Sequence, residues 1–119
     1  MTTTAPTLTD AQYHELAHLA LASVEAQIDQ WLDRDVIDID THRTGGLLEL
    51  SFPNGSKIIL NTQPPLHEIW LAARGGGFHY RRDVAAGRWV DTRDGSELFH
   101  SLSHHASAQA GVALLFTGA

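Results

Sequence analysis

The sequence has no cysteine. Disulfides, thiolate nucleophiles, Cys-ligated zinc and any iron–sulfur cluster held by its own thiolates are therefore excluded. No apolar run approaches the ~20 residues needed to span a bilayer. The opening MTTTAPTLTD has no basic n-region, no apolar h-region and no Arg-rich transit pattern, so a cytosolic product of a bacterium-like cell, or an already processed one, is expected. An excess of positive charge is missing as well: the net charge of −6 argues against nucleic acid, whose phosphates need clustered Lys and Arg. Any metal must be held by carboxylate or imidazole, and the eight histidines supply the latter.

Carboxylates dominate what is present. Asp10, Glu15, Glu25, Asp29, Asp33, Asp35, Asp38 and Asp40 crowd the first forty residues against one base, Arg34. That segment carries a formal charge of −7 and the remainder +1. Like charges repel, so such a concentration costs stability unless a cation or a basic partner offsets it. A solvated, solubilising face is the plainer alternative.

At 119 residues the chain is one domain, expected over 9–119 behind a flexible leader at 1–8. Thr9 and Gln12 form a T-x-x-Q capping box, and Leu8 can staple onto Tyr13. Tyr13, Leu16, Ala20, Val24, Ile28 and Trp31 then recur at helical spacing. His14, His18, Ala22, Glu25, Asp29 and Asp33 form another stripe of that helix. The period changes from 3.6 to 2 over 36–42, where Ile37 and Ile39 alternate with Asp38, Asp40 and His42. Further strands are expected at Leu47–Phe52, Lys57–Asn61, His67–Ala73, Phe78–Arg82 and Arg88–Asp91. Thr44-Gly45-Gly46 and Pro53-Asn54-Gly55-Ser56 supply turns. A second helix is expected to start near Asp94, with D-x-x-E spacing to Glu97, and to end at Gly111. Val112–Phe116 is apolar enough to pack back. The order describes an α+β, two-layer α–β sandwich: two terminal helices on one face of an antiparallel sheet.

Two metal patterns compete on the first helix. His14-Glu15-Leu16-Ala17-His18 matches H-E-x-x-H, which in a zinc metalloprotease places two imidazoles on one helical face with Glu as general base. No G-x-x-H extension or third ligand follows it. Glu15-x-x-His18 also matches half of a ferritin-like di-iron site, but a second pair and four facing helices are lacking. The acidic set running from Glu25 through Asp33, Asp35, Asp38 and Asp40 is the other pattern. On an edge strand beside the helix it would make an open ridge that offers one or two oxygen ligands per ion, leaves water on the metal and binds weakly. Such a row also protects an edge strand from aggregation. Trp70 alternates with Ile69 and Leu71, so it is expected on the open face of the sheet as an interface anchor, with Asn61, Gln63 and His67 as polar surround.

The segment Asn54–Ala72, NGSKIILNTQPPLHEIWLA, contains Asn61-x-Gln63-x-Pro65-x-x-x-Ile69-Trp70-Leu71-Ala72 and is followed by Gly76-Gly77-Phe78-His79-Tyr80. It resembles the signature of the frataxin family, closest to its bacterial branch. The resemblance extends over the first helix and the terminal Gln109-Ala110-Gly111. It implies a frataxin-like α–β sandwich and a role in iron–sulfur cluster assembly. It further implies weak, exchangeable binding of iron (Fe2+ or Fe3+) and docking on the cysteine desulfurase and the iron–sulfur scaffold protein. Carried over by position, the ridge is Asp10, His14, Glu25, Asp29, Asp38 and Asp40, with Asp33 and Asp35 in a longer connection. Trp70, Asn61, Gln63 and His67 correspond to the partner-facing set. Ala26, Gln30 and Leu32 stand where acids are expected, so this chain is less acidic than many relatives. The expectation is a monomer without catalytic turnover, which regulates or supplies the desulfurase. A metal-independent interaction module, and iron oxidation at the ridge, stay as alternatives.

Overall fold

A computed structural model describes residues 7–118; most of the expected leader, residues 1–6, lies outside the described residues, as does residue 119. Helix α1 spans Asp10–Asp33. Its capping box is formed as expected: Thr9 accepts from the Gln12 N–H, and the Gln12 side chain accepts from the Thr9 N–H at 2.9 Å. Six strands follow: β1 Asp40–Thr44, β2 Leu47–Ser51, β3 Lys57–Gln63, β4 Glu68–Ala73, β5 Gly76–Asp83 and β6 Arg88–Asp91. Helix α2, Leu98–Ala110, comes last. The strands form one antiparallel sheet in sequential order, which leaves β1 and β6 as its edges.

One face of the sheet is covered. Leu48, Leu50, Ile58, Leu60, Ile69, Leu71, Tyr80 and Trp89 are buried from the strands, and Tyr13, Ala17, Leu21, Val24, Ile28, Leu98 and Leu102 meet them from the helices. The period-2 and period-3.6 stripes of the sequence thus converge on one core. The tail also closes it. Leu114 and Phe116 are buried, and the Ser107 and Ser103 hydroxyls accept their N–H groups at 2.8 Å each.

Several strand ends shift by one or two residues, and three starts differ from the sequence reading for a physical reason. The first strand was expected from Val36 but begins at Asp40. The backbone of 33–36 is consumed in ending α1: the Asp35 N–H bonds to Leu32 O, and the Val36 N–H to Trp31 O. Ile37 and Ile39 then drop into the core before a ladder partner exists, since pairing starts at Asp40 opposite Ser51. β4 begins one residue late because His67 takes a left-handed conformation (φ 52°) after the 3-10 turn Pro64–Leu66. The cap of α2 is Glu97 rather than Asp94. The Glu97 carboxylate accepts from the Phe99 and His100 N–H groups, whereas Asp94 accepts from the Ser96 N–H within a tight turn. A β-bridge between Val90 and Glu97 holds that turn out of the helix.

Candidate functional site

The acidic residues gather where the C-terminal half of α1 meets the sheet edge at β1. Glu25 and Asp29 project from α1, Asp33 closes it, Asp35 lies in the connection, and Asp38 precedes the edge strand that Asp40 opens. Asp29, Asp33, Asp35, Asp38 and Asp40 are exposed. The last turn of α1 holds no basic residue. Carboxylates there face the negative end of the helix dipole, an unfavourable placement that a nearby cation reverses. Asp35 adds to this, because it occupies the left-handed region (φ 61°), usually left to glycine at the end of a helix.

The strip is not uniform. Arg43 on β1 donates from Nη1 to Glu25 Oε1 at 2.5 Å, and its Nη2 lies 2.6 Å from His18 Nδ1. Glu25 is therefore already paired within the chain. Asp10 sits at the far end of the helix, where it binds His67 Nε2 at 2.7 Å. His14 is exposed. Among the described residues no three His, Asp or Glu side chains gather into a ready metal cage. The H-E-x-x-H residues His14, Glu15 and His18 are all exposed on α1, and a guanidinium beside His18 repels a cation approaching that ring.

Register decides which face each strand residue serves. Directly opposed residues share a face, and Arg43 and Thr41 oppose the buried Leu48 and Leu50. Asp40 opposes Ser51, which in turn opposes Lys57, so Asp40 points to the uncovered face. The acidic strip thus wraps around the sheet edge rather than staying on the helix layer. On this uncovered face Glu49 pairs with Lys57 at 2.9 Å, which draws the Glu49 carboxyl below its usual range.

Trp70 lies on the same uncovered face, as its alternation with Ile69 and Leu71 indicates. Asn61 opposes it on one side and His79 on the other. The His79 ring stacks on the indole at 4.2 Å, nearly parallel. The indole N–H donates to Glu68 Oε1 at 2.9 Å, and Arg81 donates to Glu68 Oε2 at 2.9 Å. Gln63 faces Glu68 across the ladder. Asn61 is thus the cross-strand neighbour of Trp70 and Gln63 lies on the same face one pair further along, whereas His67 leaves that face. It turns toward α1, stacking on Tyr13 at 4.7 Å. The Tyr13 hydroxyl donates to Glu68 O at 2.6 Å and accepts from the Gln63 N–H at 3.1 Å, and burial pushes its pKa up.

Sequence reasoning missed Glu68, His79, Arg81 and Arg43. The signal for Glu68 was present, two residues before Trp70 on the same face. His79 and Arg81 needed the register of the β4–β5 hairpin, and Arg43 needed the docking of α1 on the edge strand.

Residues 6–112 match the frataxin-like domain. The chain belongs to the frataxin family. It is 51% identical over 112 residues to the iron–sulfur cluster assembly protein CyaY of Variovorax paradoxus, covering 94% of this chain and 100% of that one. It is 47% identical over 110 residues to the protein of that name from Delftia acidovorans, covering 92% and 98%. The structure of the Psychromonas ingrahamii frataxin superposes with a TM-score of 0.81 at 34% identity, over 92% of this chain and 99% of that chain. A trimeric frataxin of Saccharomyces cerevisiae, described as complexed with ferrous, has a TM-score of 0.65 at 22% identity, over 92% and 93% of the two chains, and shares the frataxin fold.

Proposed function

We propose that this chain is an accessory protein of iron–sulfur cluster assembly, working as a monomer in the bacterial cytoplasm without chemical turnover of its own. Its CyaY relatives carry the name of that pathway. Iron is cargo here. Asp29, Asp33, Asp35, Asp38 and Asp40 would hold it through one or two oxygens per ion, with water completing the coordination. Open coordination of this kind gives weak, exchangeable binding and favours delivery or sensing over oxidation of the iron. His14, His18 and Asp10 lie farther along α1, and Glu25 can contribute only by leaving Arg43.

Docking follows from the same charge. The strip would meet a basic surface of the cysteine desulfurase, with salt-sensitive association. Bound iron reduces the negative charge and so tunes the contact. Trp70, flanked by Asn61 and Gln63, would face the scaffold protein, an aromatic anchor ringed by polar groups. The single observation that carries this reading is the gathering of exposed carboxylates at the unfavourable end of α1 and around the adjoining edge.

Titration with Fe2+ followed by amide NMR tests it. Shifts and broadening are expected over the last turns of α1 and residues 33–40. Perturbation at His14 and His18 with tight, stoichiometric zinc would favour the protease reading instead. Replacing Asp29, Asp38 and Asp40 by Lys is expected to abolish desulfurase binding with the fold intact. Desulfurase binding that is identical with and without iron would leave only an interaction module.

A further inference from the structure

Helix α2 carries no carboxylate, lysine or arginine; its imidazoles are His100, His104 and His105. His100 and His104 are four residues apart, a spacing that stacks side chains one turn above the other with Cβ atoms about 5–6 Å apart. Both are exposed, on the helix face opposite Leu98, Leu102 and Ala106. Most other histidines are engaged: His18 with Arg43, His42 with Thr44, His67 with Asp10, His79 with Trp70 and His105 with Phe78. The His104 ring packs edge-on against His105 at 5.3 Å, and among the described residues no side chain hydrogen-bonds the ring nitrogens of His100 or His104. The second imidazole pair at this spacing, His14 and His18, is compromised by the guanidinium 2.6 Å from His18.

The turn that bears the pair is held firmly. Ser103 and Ser107, interleaved with the two histidines, accept from the N–H groups of Phe116 and Leu114 and so fasten the tail against α2. Gln109 donates to Lys57 O and accepts from the Arg74 N–H, fixing the end of the helix to two hairpins. The rings also open onto a groove bordered by Ser103, Ser107, Leu114 and Leu115. Two imidazoles one turn apart on a tethered helix need little ordering to chelate an ion, which lowers the cost of binding.

We propose that His100 and His104 form a two-imidazole site for a divalent cation of the Cu2+, Ni2+ and Zn2+ class, distinct from the carboxylate strip. Imidazole suits these ions, whereas carboxylate and water suit harder ones. Water fills the remaining coordination positions. The nitrogen donors on α2 are thereby separate from the oxygen donors around α1 and β1. This inference does not depend on whether the strip carries iron.

The test uses the full chain with any affinity tag removed, Ni2+ alone by calorimetry and Zn2+ alone by NMR. Binding of one ion is expected, with Zn2+ shifts centred on His100, His104 and the intervening amides. His100→Ala and His104→Ala should each weaken Ni2+ binding at least about tenfold, the loss typical even of outer-shell partners. The double variant His14→Ala/His18→Ala should bind as the parent does. Both sites are exposed, and an unchanged far-UV spectrum confirms that each variant is folded. Shifts centred elsewhere, unchanged affinity in either single variant, or absence of heat and shift would overturn the proposal.

Discussion

Arg43 on the edge strand and Glu25 on α1 form a charge-assisted hydrogen bond of 2.5 Å, and that pair separates the acidic strip into a neutralised part and a free part. Replacing Arg43 by Ala removes one positive charge and releases both Glu25 and His18. Divalent cations should then bind the strip more tightly, and the perturbed amides should extend back to Glu25. The pair is only partly buried, so the stability loss should be about 1 kcal/mol or less. NMR titration and chemical denaturation of the variant measure the two effects.

Asp35 is the residue whose left-handed conformation closes α1, with a negative charge at the negative end of the helix dipole. Asp35→Gly relieves both penalties. The variant should gain about 0.5–1 kcal/mol, after allowance for the greater freedom of glycine in the unfolded chain. Urea midpoints at equal slope report it. A loss of stability would show that the Asp35 side chain makes a compensating interaction.

Tyr13 ties the first helix to the connection between β3 and β4 through one buried hydroxyl. Tyr13→Phe leaves the ring in place and deletes both hydrogen bonds, so Glu68 O loses its donor and the Gln63 N–H its acceptor. A cost of about 1–3 kcal/mol is expected. Faster amide exchange at Gln63 should accompany it, because that N–H then has no partner on the helix.

Trp70→Arg removes the indole from an open sheet face that no helix covers. The stacking on His79 is lost, with a stability cost of about 0.5–1.5 kcal/mol. Iron binding at the strip should be unchanged, while affinity for the scaffold in the ternary complex falls. Calorimetry with each partner separates these outcomes. Equal scaffold affinity would remove Trp70 from the docking surface.

Asp94 accepts from the Ser96 N–H, and that bond holds its carboxyl below the usual value of 3.8. The folded state therefore binds fewer protons than the unfolded chain between the lowered value and 3.8, so this contribution is present above 3.8 and lost as pH falls through the lowered value. Asp94→Ala should be less stable than the parent at pH 7. The difference should shrink on acidification, as followed by urea unfolding at several pH values.

The covered layer was legible because its periodicities are strong. Tyr13, Val24 and Ile28 recur at helical spacing, and Leu48, Leu50, Ile58 and Leu60 alternate; all are buried where that pattern requires. Trp70 was legible for the same reason, being odd against an apolar alternation. The strand start at Asp40 and the cap at Glu97 were not. Ile37 and Ile39 read as strand because they are apolar and alternate, yet ladder pairing depends on where β2 ends. Asp94 is the better cap by residue type, but the Asp94–Ser96 turn and the Val90–Glu97 bridge move the helix start to Glu97.

Composition and spacing alone determined that any metal would have to be held by carboxylate or imidazole, that two helices flank an antiparallel run, and that acids concentrate near the first helix. Tertiary structure decided which of those acids are free. Pairing across distance is what a linear pattern cannot encode: Arg43 reaches Glu25, His67 reaches Asp10, and the register of β1 on β2 sends Asp40 to the uncovered face. A charge's effect depends on its neighbours in space, and those neighbours are set by the docking of α1 on the sheet edge.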